Sequence, residues 1–210
     1  MTRSSDLLPR FSRGELWIHR VLALLIGVCI ATAAVLYVGS LGALVGRRDL
    51  VATVHLVSGL LAPVPLLLGW LLSRAFRADV RRVSRFLPDD IGWLRSPDRR
   101  SGAIPSGKFN AGQKLNSAFV LGAVLVLLAT GLMLHWFDLF SDELRTGATF
   151  VHDLVALAVV LLAAGHVRMA WLDPVARSGL RTGFVPREWA RHEHALWVDG
   201  LERDGGPGPN

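Results

Sequence analysis

Four long apolar segments constrain this chain more than any other feature of its sequence. Three of them carry no charged residue, and they cover residues 21–46, 51–73 and 115–137. The fourth, at residues 147–172, has an uncharged centre bounded by Asp153 and Arg168. A membrane-spanning helix needs about 20 predominantly apolar residues, and a charged side chain near a helix end reaches the interface at modest cost. The sequence therefore predicts an all-α integral membrane protein with a four-helix transmembrane bundle.

The predicted domain organisation follows from these segments. We assign residues 1–200 to one four-span domain and residues 201–210 to a flexible C-terminal tail. The predicted spans and the long loop are residues 17–38, 50–73, 115–137 and 148–172, with the loop at 74–114. Charged residues make up 19% of the chain, below the roughly 25% that is typical of soluble domains. We expect little of the chain to remain for a separate soluble domain.

The basic residues are concentrated on one predicted side of the membrane. They cluster before the first span, in the loop at 74–114 and after the fourth span, whereas the two remaining loops hold only Arg47, Arg48 and Arg145. Because short loops rich in arginine and lysine stay in the cytoplasm, we expect both termini and the long loop to be cytoplasmic in a multi-pass inner-membrane protein. The net charge of +6 then reflects topology in the lipid membrane, and we expect no nucleic-acid partner.

Four histidines lie in the predicted spans. His152 and His166 are fourteen residues apart in the fourth span. On an α-helix this spacing is a rotation of about 1,400°, about 40° short of four turns, and a rise of about 21 Å. Both imidazoles therefore face nearly the same way at two depths of a hydrocarbon core that is about 30 Å thick. His19 and His55 each lie near one end of the first and second spans.

The predicted topology assigns each of these histidines to one side of the membrane. His55 and His152 follow the outer ends of their spans, whereas His19 and His166 lie near the inner ends. The iron of an electron-transfer haem accepts two neutral imidazoles as axial ligands. The sequence therefore predicts an outer haem held by His55 and His152 and an inner haem held by His19 and His166.

Other interpretations of the histidines stay open at this point. A histidine at the end of a membrane helix is often an interfacial residue or a hydrogen-bond partner, and His135, beside Trp136, is the main rival of the outer pair. Zinc fits less well, since two histidines without a thiolate or a well-placed carboxylate are an incomplete ligand set. His192 and His194 follow the fourth span in a polar tail, where they are poor haem ligands with roles still to be assigned.

Three further motifs resemble those of a known family. They are GKFNAGQK at residues 107–114, DIGW at residues 90–93 and GFVPREWARHEHALW at residues 183–197. With His152, Asp153 and His166, they are similar to the cytochrome b (gamma) subunit of membrane-bound respiratory formate dehydrogenases, within the wider family of di-haem b-type membrane cytochromes. The similarity covers nearly the whole chain. The adjacent histidine pair of the family's tail motif is split in this sequence by Glu193.

The resemblance implies a four-helix subunit that holds two b haems and passes electrons to a quinone. The family's ligand positions fall on His19, His55, His152 and His166. Its quinone site falls near the inner haem, on Asn110, Gly112 and Gln113. Amide side chains suit a quinone carbonyl, which needs hydrogen-bond donors in an apolar slot. Helix N-capping is the structural alternative for the two amides.

The resemblance also implies partners. Electrons arrive from an iron–sulfur (beta) subunit, which receives them from a catalytic subunit that contains molybdenum or tungsten. We expect formate oxidation on that partner and no catalysis of it on this chain. Two alternatives stay open: a b-type cytochrome subunit of a hydrogenase or another reductase, and a haem-free membrane anchor or transporter whose histidines handle protons or metal ions.

Overall fold

The structure is a computed structural model that describes residues 6–99 and 101–205. Helices dominate this part of the chain, and a short antiparallel ribbon joins strand β1 (Leu7–Pro9) to strand β2 (Phe184–Pro186). The helices, in chain order, are α1 (Arg13–Tyr37), α2 (Gly39–Val45), α3 (Arg48–Leu61), α4 (Pro63–Leu72), α5 (Arg74–Val83), α6 (Pro88–Arg95), α7 (Ala111–His135), α8 (Asp142–Leu172), α9 (Pro174–Thr182), α10 (Arg187–Glu193) and α11 (Ala195–Arg203).

Four helical segments in the described part are long and apolar enough to cross a membrane. They are α1, α3 with α4, α7, and α8. Few of their residues are buried in the isolated chain, as expected of helices whose apolar surfaces face hydrocarbon rather than a protein core. The predicted all-α fold with four membrane-spanning segments is therefore confirmed.

The second span is two helices because a proline interrupts its hydrogen bonding. α3 ends at Leu61 and α4 begins at Pro63, with Ala62 between them. Pro63 has no N–H to donate to the carbonyl of Gly59, and a proline ring clashes with the carbonyl four residues earlier. The N–H of Ala62 instead donates to the Gly59 carbonyl over 3.3 Å, which tightens the last turn of α3.

The chain divides into two compact units. The membrane unit comprises residues 17–72 and 120–165. The polar unit comprises the described residues among 1–16, 73–119 and 166–210. His55 and His152 belong to the membrane unit, and the GKFNAGQK, DIGW and tail motifs lie in the polar unit.

A small apolar core lies in the polar unit. β1 and β2 pair with Leu8 opposite Val185, and these two side chains are buried with Ala190 and Val198 of the following helices. The sequence did not predict this ribbon, because three-residue strands are too short for an alternating pattern to be recognised. The tail motif therefore folds back onto the segment that precedes the first span.

Gly183 makes the turn into β2 and needs to be glycine. Its φ of +88° lies in the left-handed region, and a Cβ atom there would come within 2.6 Å of the carbonyl oxygen of Phe11. The Gly183 carbonyl accepts hydrogen bonds from the N–H groups of Arg10 and Phe11 over 2.7 and 3.0 Å. Any L side chain would be strained here, which explains the glycine of the tail motif.

The C-terminal helix continues past the predicted start of the flexible tail. α11 ends at Arg203, three residues beyond the predicted boundary at residue 200. Residues 206–210 of the predicted tail lie outside the described residues.

Candidate functional site

His55 lies in α3 and is held by a threonine of the first span. Its Nδ1 atom is 2.9 Å from the Oγ1 atom of Thr32 in α1, and the same hydroxyl is 2.7 Å from the carbonyl oxygen of Val28. The Sγ atom of Cys29, also in α1, lies 3.9 Å from the backbone carbonyl of His55. The imidazole is half-buried. α1 therefore contacts both the ring and the backbone of this histidine.

His152 lies in α8 in a matching arrangement. Its Nδ1 atom is 2.9 Å from the Oγ1 atom of Thr130 in α7, whose hydroxyl is 2.7 Å from the carbonyl oxygen of Val126. The next residue of α7 is Gly131, where a Cβ atom would come within 3.4 Å of the His152 ring. The glycine thus allows the imidazole to approach the backbone of α7.

The threonine contacts fix which nitrogen of each ring carries the proton. A hydroxyl has one proton to donate, and both hydroxyls are within 2.7 Å of the carbonyl oxygen four residues earlier, which only accepts. The Thr32 hydroxyl oxygen therefore accepts a hydrogen bond from Nδ1–H of His55, and the Thr130 hydroxyl oxygen accepts one from Nδ1–H of His152. Each ring is then a neutral imidazole whose Nε2 atom keeps its lone pair, the form that ligates a metal.

The two imidazoles also lie at a distance that suits one iron between them. Their ring centroids are 6.3 Å apart, with an angle of 61° between the ring planes. With about 2 Å for each metal–nitrogen bond, as in imidazole–zinc sites, and about 1 Å from each nitrogen to its centroid, the expected separation is about 6 Å. Because a haem iron takes its other four ligands from the macrocycle, two neutral imidazoles complete its coordination. The residues present therefore fit haem.

The predicted inner ligands lie in different units of the chain. His19 lies in the second turn of α1, and His166 lies in α8 on the same helix as His152. His19 belongs to the membrane unit, whereas His166 is the first residue of the last segment of the polar unit. Their pairing at a second haem stays a prediction from the sequence.

Asn110 and Gln113 form a reciprocal cap at the start of α7. The N–H of Gln113 donates to Oδ1 of Asn110, and the N–H of Asn110 donates to Oε1 of Gln113, both over 3.0 Å. This is the capping arrangement of a helix N-terminus, the structural alternative to a quinone role. It uses the two amide oxygens and not the amide NH₂ groups. A Cβ atom at Gly112 would come within 3.3 Å of the Trp93 ring, so the glycine allows close packing there.

The two lysines of GKFNAGQK form buried ion pairs that the sequence analysis missed. Nζ of Lys114 lies 2.6 Å from Oδ2 of Asp90, the first residue of DIGW, and both side chains are less than a tenth exposed. Lys108 pairs in the same way with Asp79. The signal was present in the sequence as lysines inside a motif with few other charges, but their partners lie 24 and 29 residues away.

His194 of the tail is buried and fully hydrogen-bonded. Its Nε2 atom accepts from the Arg10 guanidinium over 2.9 Å, and its Nδ1–H donates to the carbonyl oxygen of Gly107 over 2.7 Å. The side chain is 2% exposed. Burial, followed by the nearby positive charge of Arg10, lowers the pKa of His194 from 6.5 to about 3. A ring with both nitrogens engaged has no lone pair left for a metal.

The remaining histidines lie at exposed positions. His135 ends α7, and its ring centroid is 6.0 Å from that of Trp136. His192 is exposed beside Glu193, 3.2 Å from its carboxylate. His192 and His194 thus differ sharply, which the sequence did not reveal because both lie in the same polar stretch.

Comparisons with known proteins agree with a membrane cytochrome. A sequence profile of the prokaryotic cytochrome b561 family matches residues 10–182. The chain is also similar to the cytochrome b556(Fdn) subunit of the nitrate-inducible formate dehydrogenase of Escherichia coli K12, with 26% identity over 134 residues, which are 59% of this chain and 62% of that protein. The corresponding subunits of Escherichia coli O157:H7 and Shigella flexneri match to the same extent.

The aligned region covers less than two thirds of each of these relatives. The predicted resemblance to formate dehydrogenase cytochrome b subunits is confirmed as a similarity to them. The profile match extends over well over half of the chain and includes all four membrane-spanning segments, and it implies haem b as the cofactor. The chain therefore belongs to the prokaryotic cytochrome b561 family.

Proposed function

We propose that this chain is the membrane cytochrome b subunit of an oxidoreductase complex, and that it passes electrons from an iron–sulfur partner to a quinone. The complex we propose is a formate dehydrogenase, since the similar proteins of Escherichia coli and Shigella flexneri carry that name. In such a complex, formate oxidation belongs to a molybdenum- or tungsten-containing subunit, and this chain is the electron-transfer and anchoring subunit.

The observation that carries the proposal is the pair of threonine-anchored imidazoles in the membrane unit. Haem b, when bound, supplies an iron that takes up and releases single electrons. His55 and His152 would hold one haem, because each presents a neutral ring whose hydrogen bond engages Nδ1 rather than Nε2. Both rings are half-buried among apolar helices.

A second haem is proposed on the strength of the sequence. His19 and His166 lie near the predicted inner ends of the first and fourth spans, and His166 lies on nearly the same helix face as His152. The positive-inside rule supports an arrangement in which the polar unit and both chain termini lie on the cytoplasmic side of an inner membrane. Electrons would then move inward across the bilayer.

Asn110, Gly112 and Gln113 are the proposed quinone contacts. The helix cap engages the amide oxygens of Asn110 and Gln113, so their NH₂ groups keep the donors that a quinone carbonyl needs. Gly112 packs closely against the Trp93 ring, so its proposed contact would be made by its backbone. A cytoplasmic location would give this site access to protons from water.

The proposal is tested by a dithionite-reduced-minus-oxidised visible spectrum of the purified full chain, with haem quantified per chain. We expect two haems b in the parent protein. The variants His55→Ala and His152→Ala should lose the same haem, and His19→Ala and His166→Ala should lose the other. His135→Ala is the matched control and should keep both. A folded, colourless parent protein would overturn the proposal in favour of a haem-free anchor or transporter.

A further inference from the structure

We infer that Thr32 and Thr130 are a matched pair of positioning residues, each setting the proton position and donor strength of the imidazole on one face of the same haem. This inference rests on the proposed ligation by His55 and His152. It concerns residues that neither the sequence motifs nor the family comparison singles out.

The two threonine–histidine contacts have the same geometry. Each threonine lies in one span and holds a histidine of another: α1 holds the ring in α3, and α7 holds the ring in α8. In both cases the Oγ1–Nδ1 distance is 2.9 Å and the hydroxyl lies 2.7 Å from the carbonyl four residues earlier. The same arrangement of histidine Nδ1, threonine Oγ1 and backbone carbonyl oxygen in two separate pairs indicates that both threonines have the same role.

The direction of the hydrogen bonds determines the role of each threonine. Because the backbone carbonyls of Val28 and Val126 occupy the hydroxyl protons, each threonine oxygen faces its ring as an acceptor. An unprotonated Nδ1 would meet a lone pair and be repelled. The threonines therefore disfavour the tautomer in which Nε2 carries the proton and cannot ligate iron.

The strength of the threonine hydroxyl as a hydrogen-bond acceptor affects the reduction potential of the haem. A partner that accepts from the second nitrogen of a ligating histidine raises the basicity of the ligand. A neutral hydroxyl does so more weakly than a carboxylate, and it places no charge in the hydrocarbon, where charges are costly. A more basic imidazole favours the oxidised, more positive iron. Removing the hydroxyl should therefore raise the reduction potential of the haem that His55 and His152 hold.

The experiment is a spectroscopic redox titration, with electron paramagnetic resonance of the oxidised haems, on the purified full chain. Thr32→Val and Thr130→Val remove one hydroxyl each at nearly constant volume. We expect both to shift the same haem to a higher potential and to change its g values, because the freed ring rotates. The double variant should show the larger shift, and the other haem should stay unchanged.

A matched control lies in the same span as His55. The Thr53 hydroxyl donates to the carbonyl of Asp49 over 2.9 Å, so Thr53→Val removes the same type of backbone hydrogen bond at an exposed position. We expect wild-type potentials and g values for it. A shift in Thr53→Val equal to that in Thr32→Val would overturn the inference, because it would trace the effect to the helix rather than to the ring.

Serine variants keep the experiment decisive if a valine variant loses haem. Thr32→Ser and Thr130→Ser retain the hydroxyl, and we expect them to retain both haems at wild-type potentials. Loss of haem in the serine variants would show that side-chain size matters instead, and would overturn the inference. A wild-type protein without haem would defeat the proposed function itself. Haem that depends on His55 and His152, but with potentials indifferent to both threonines, would defeat this inference alone.

Discussion

Histidines are used in opposite ways in the two units of this molecule. In the membrane unit, His55 and His152 each meet a neutral hydroxyl through Nδ1. In the polar unit, the hydrogen bonds of His194 engage both ring nitrogens, one with the charged Arg10 and one with a backbone carbonyl. Rings of the first kind keep a lone pair that can bind a metal ion. In His194, both ring nitrogens are occupied by hydrogen bonds within the fold.

The surroundings of the rings differ in the same sense. The polar unit buries full charges, and some of them form ion pairs, as Lys114 does with Asp90. In the hydrocarbon of a membrane, an ion is costly, and the membrane unit orients its imidazoles with threonines that bond their own helix backbone. A histidine ready for a cofactor is thus recognised by which atoms its neighbours engage, and burial alone does not identify it.

Removing one histidine from each unit is the strongest way to break this contrast. His152→Ala should lose one of the two proposed haems completely, because no side chain replaces the axial ligand. His194→Ala should keep both haems and lower the stability of the polar unit by about 2–5 kcal/mol, since it leaves a cavity and strands the Arg10 charge. Haem content by pyridine haemochrome and thermal unfolding in detergent measure the two effects.

The opposite pattern, with haem lost from His194→Ala in a folded protein, would show that the tail histidine is itself a ligand. Fluorescence of Trp189 and Trp197, whose ring centroids lie 5.2 and 6.4 Å from that of His194, reports whether the polar unit stays folded in that variant.

The buried ion pair of the signature motifs should carry the next largest effect. Lys114→Met leaves the Asp90 carboxylate buried without its cation, and breaking a buried pair in this way costs about 3–5 kcal/mol. Arg187→Gln is the matched control, because the Arg187 guanidinium also forms an ion pair, 3.0 Å from the Glu202 carboxylate, but this pair is exposed. Exposed ion pairs contribute about 0–1 kcal/mol to stability. Denaturant unfolding followed by tryptophan fluorescence compares them. Equal losses in both variants would mean that burial of the pair is unimportant.

Much of the membrane unit could be predicted because a membrane-spanning helix is determined by residues that are consecutive in the sequence. A helix must satisfy its own backbone in hydrocarbon, so an uncharged run such as residues 115–137 implies a span directly. The face shared by His152 and His166 follows from the helical repeat alone. The four spans needed nothing beyond the sequence, whereas the haem ligands stay predictions.

The parts that could not be predicted depend on partners far apart in the chain. Thr130 looks like an unremarkable polar residue in an apolar span, and only the fold brings it to a ring 22 residues later. The pairing of Arg10 with His194 joins residues 184 positions apart. Such contacts leave no periodic pattern, since they are set by tertiary packing. The ribbon between β1 and β2 was missed for the same reason.

Acid should expose the difference between His194 and the exposed His192. The folded-state pKa of His194 is about 3 and its ordinary value is 6.5, so the unfolded chain binds the extra proton between these limits. The stabilisation is complete above pH 6.5 and decreases as the pH falls, by about 1.4 kcal/mol per pH unit for this group. Unfolding midpoints measured from pH 7 to pH 4.5 should fall, and His194→Gln should flatten the slope. His192→Gln should leave the slope as it is; a flattened slope in that variant would contradict the assignment.

The smallest change in stability is expected where structure and function are proposed to use different atoms of one side chain. Asn110→Asp keeps an oxygen for the N–H of Gln113, and aspartate caps helices as well as asparagine does, so the unfolding midpoint should hardly move. The substitution removes the NH₂ donors, however, and should weaken quinone binding about tenfold, as expected for one hydrogen bond lost from a polar contact. Quinone-dependent reoxidation of the reduced haems, measured against quinone concentration, gives the apparent affinity.

Asn110→Ala should lose both the cap and the donors. If Asn110→Asp reoxidises like the parent while Asn110→Ala is destabilised, the amide serves the helix alone, and the polar unit uses its signature asparagine as it uses His194.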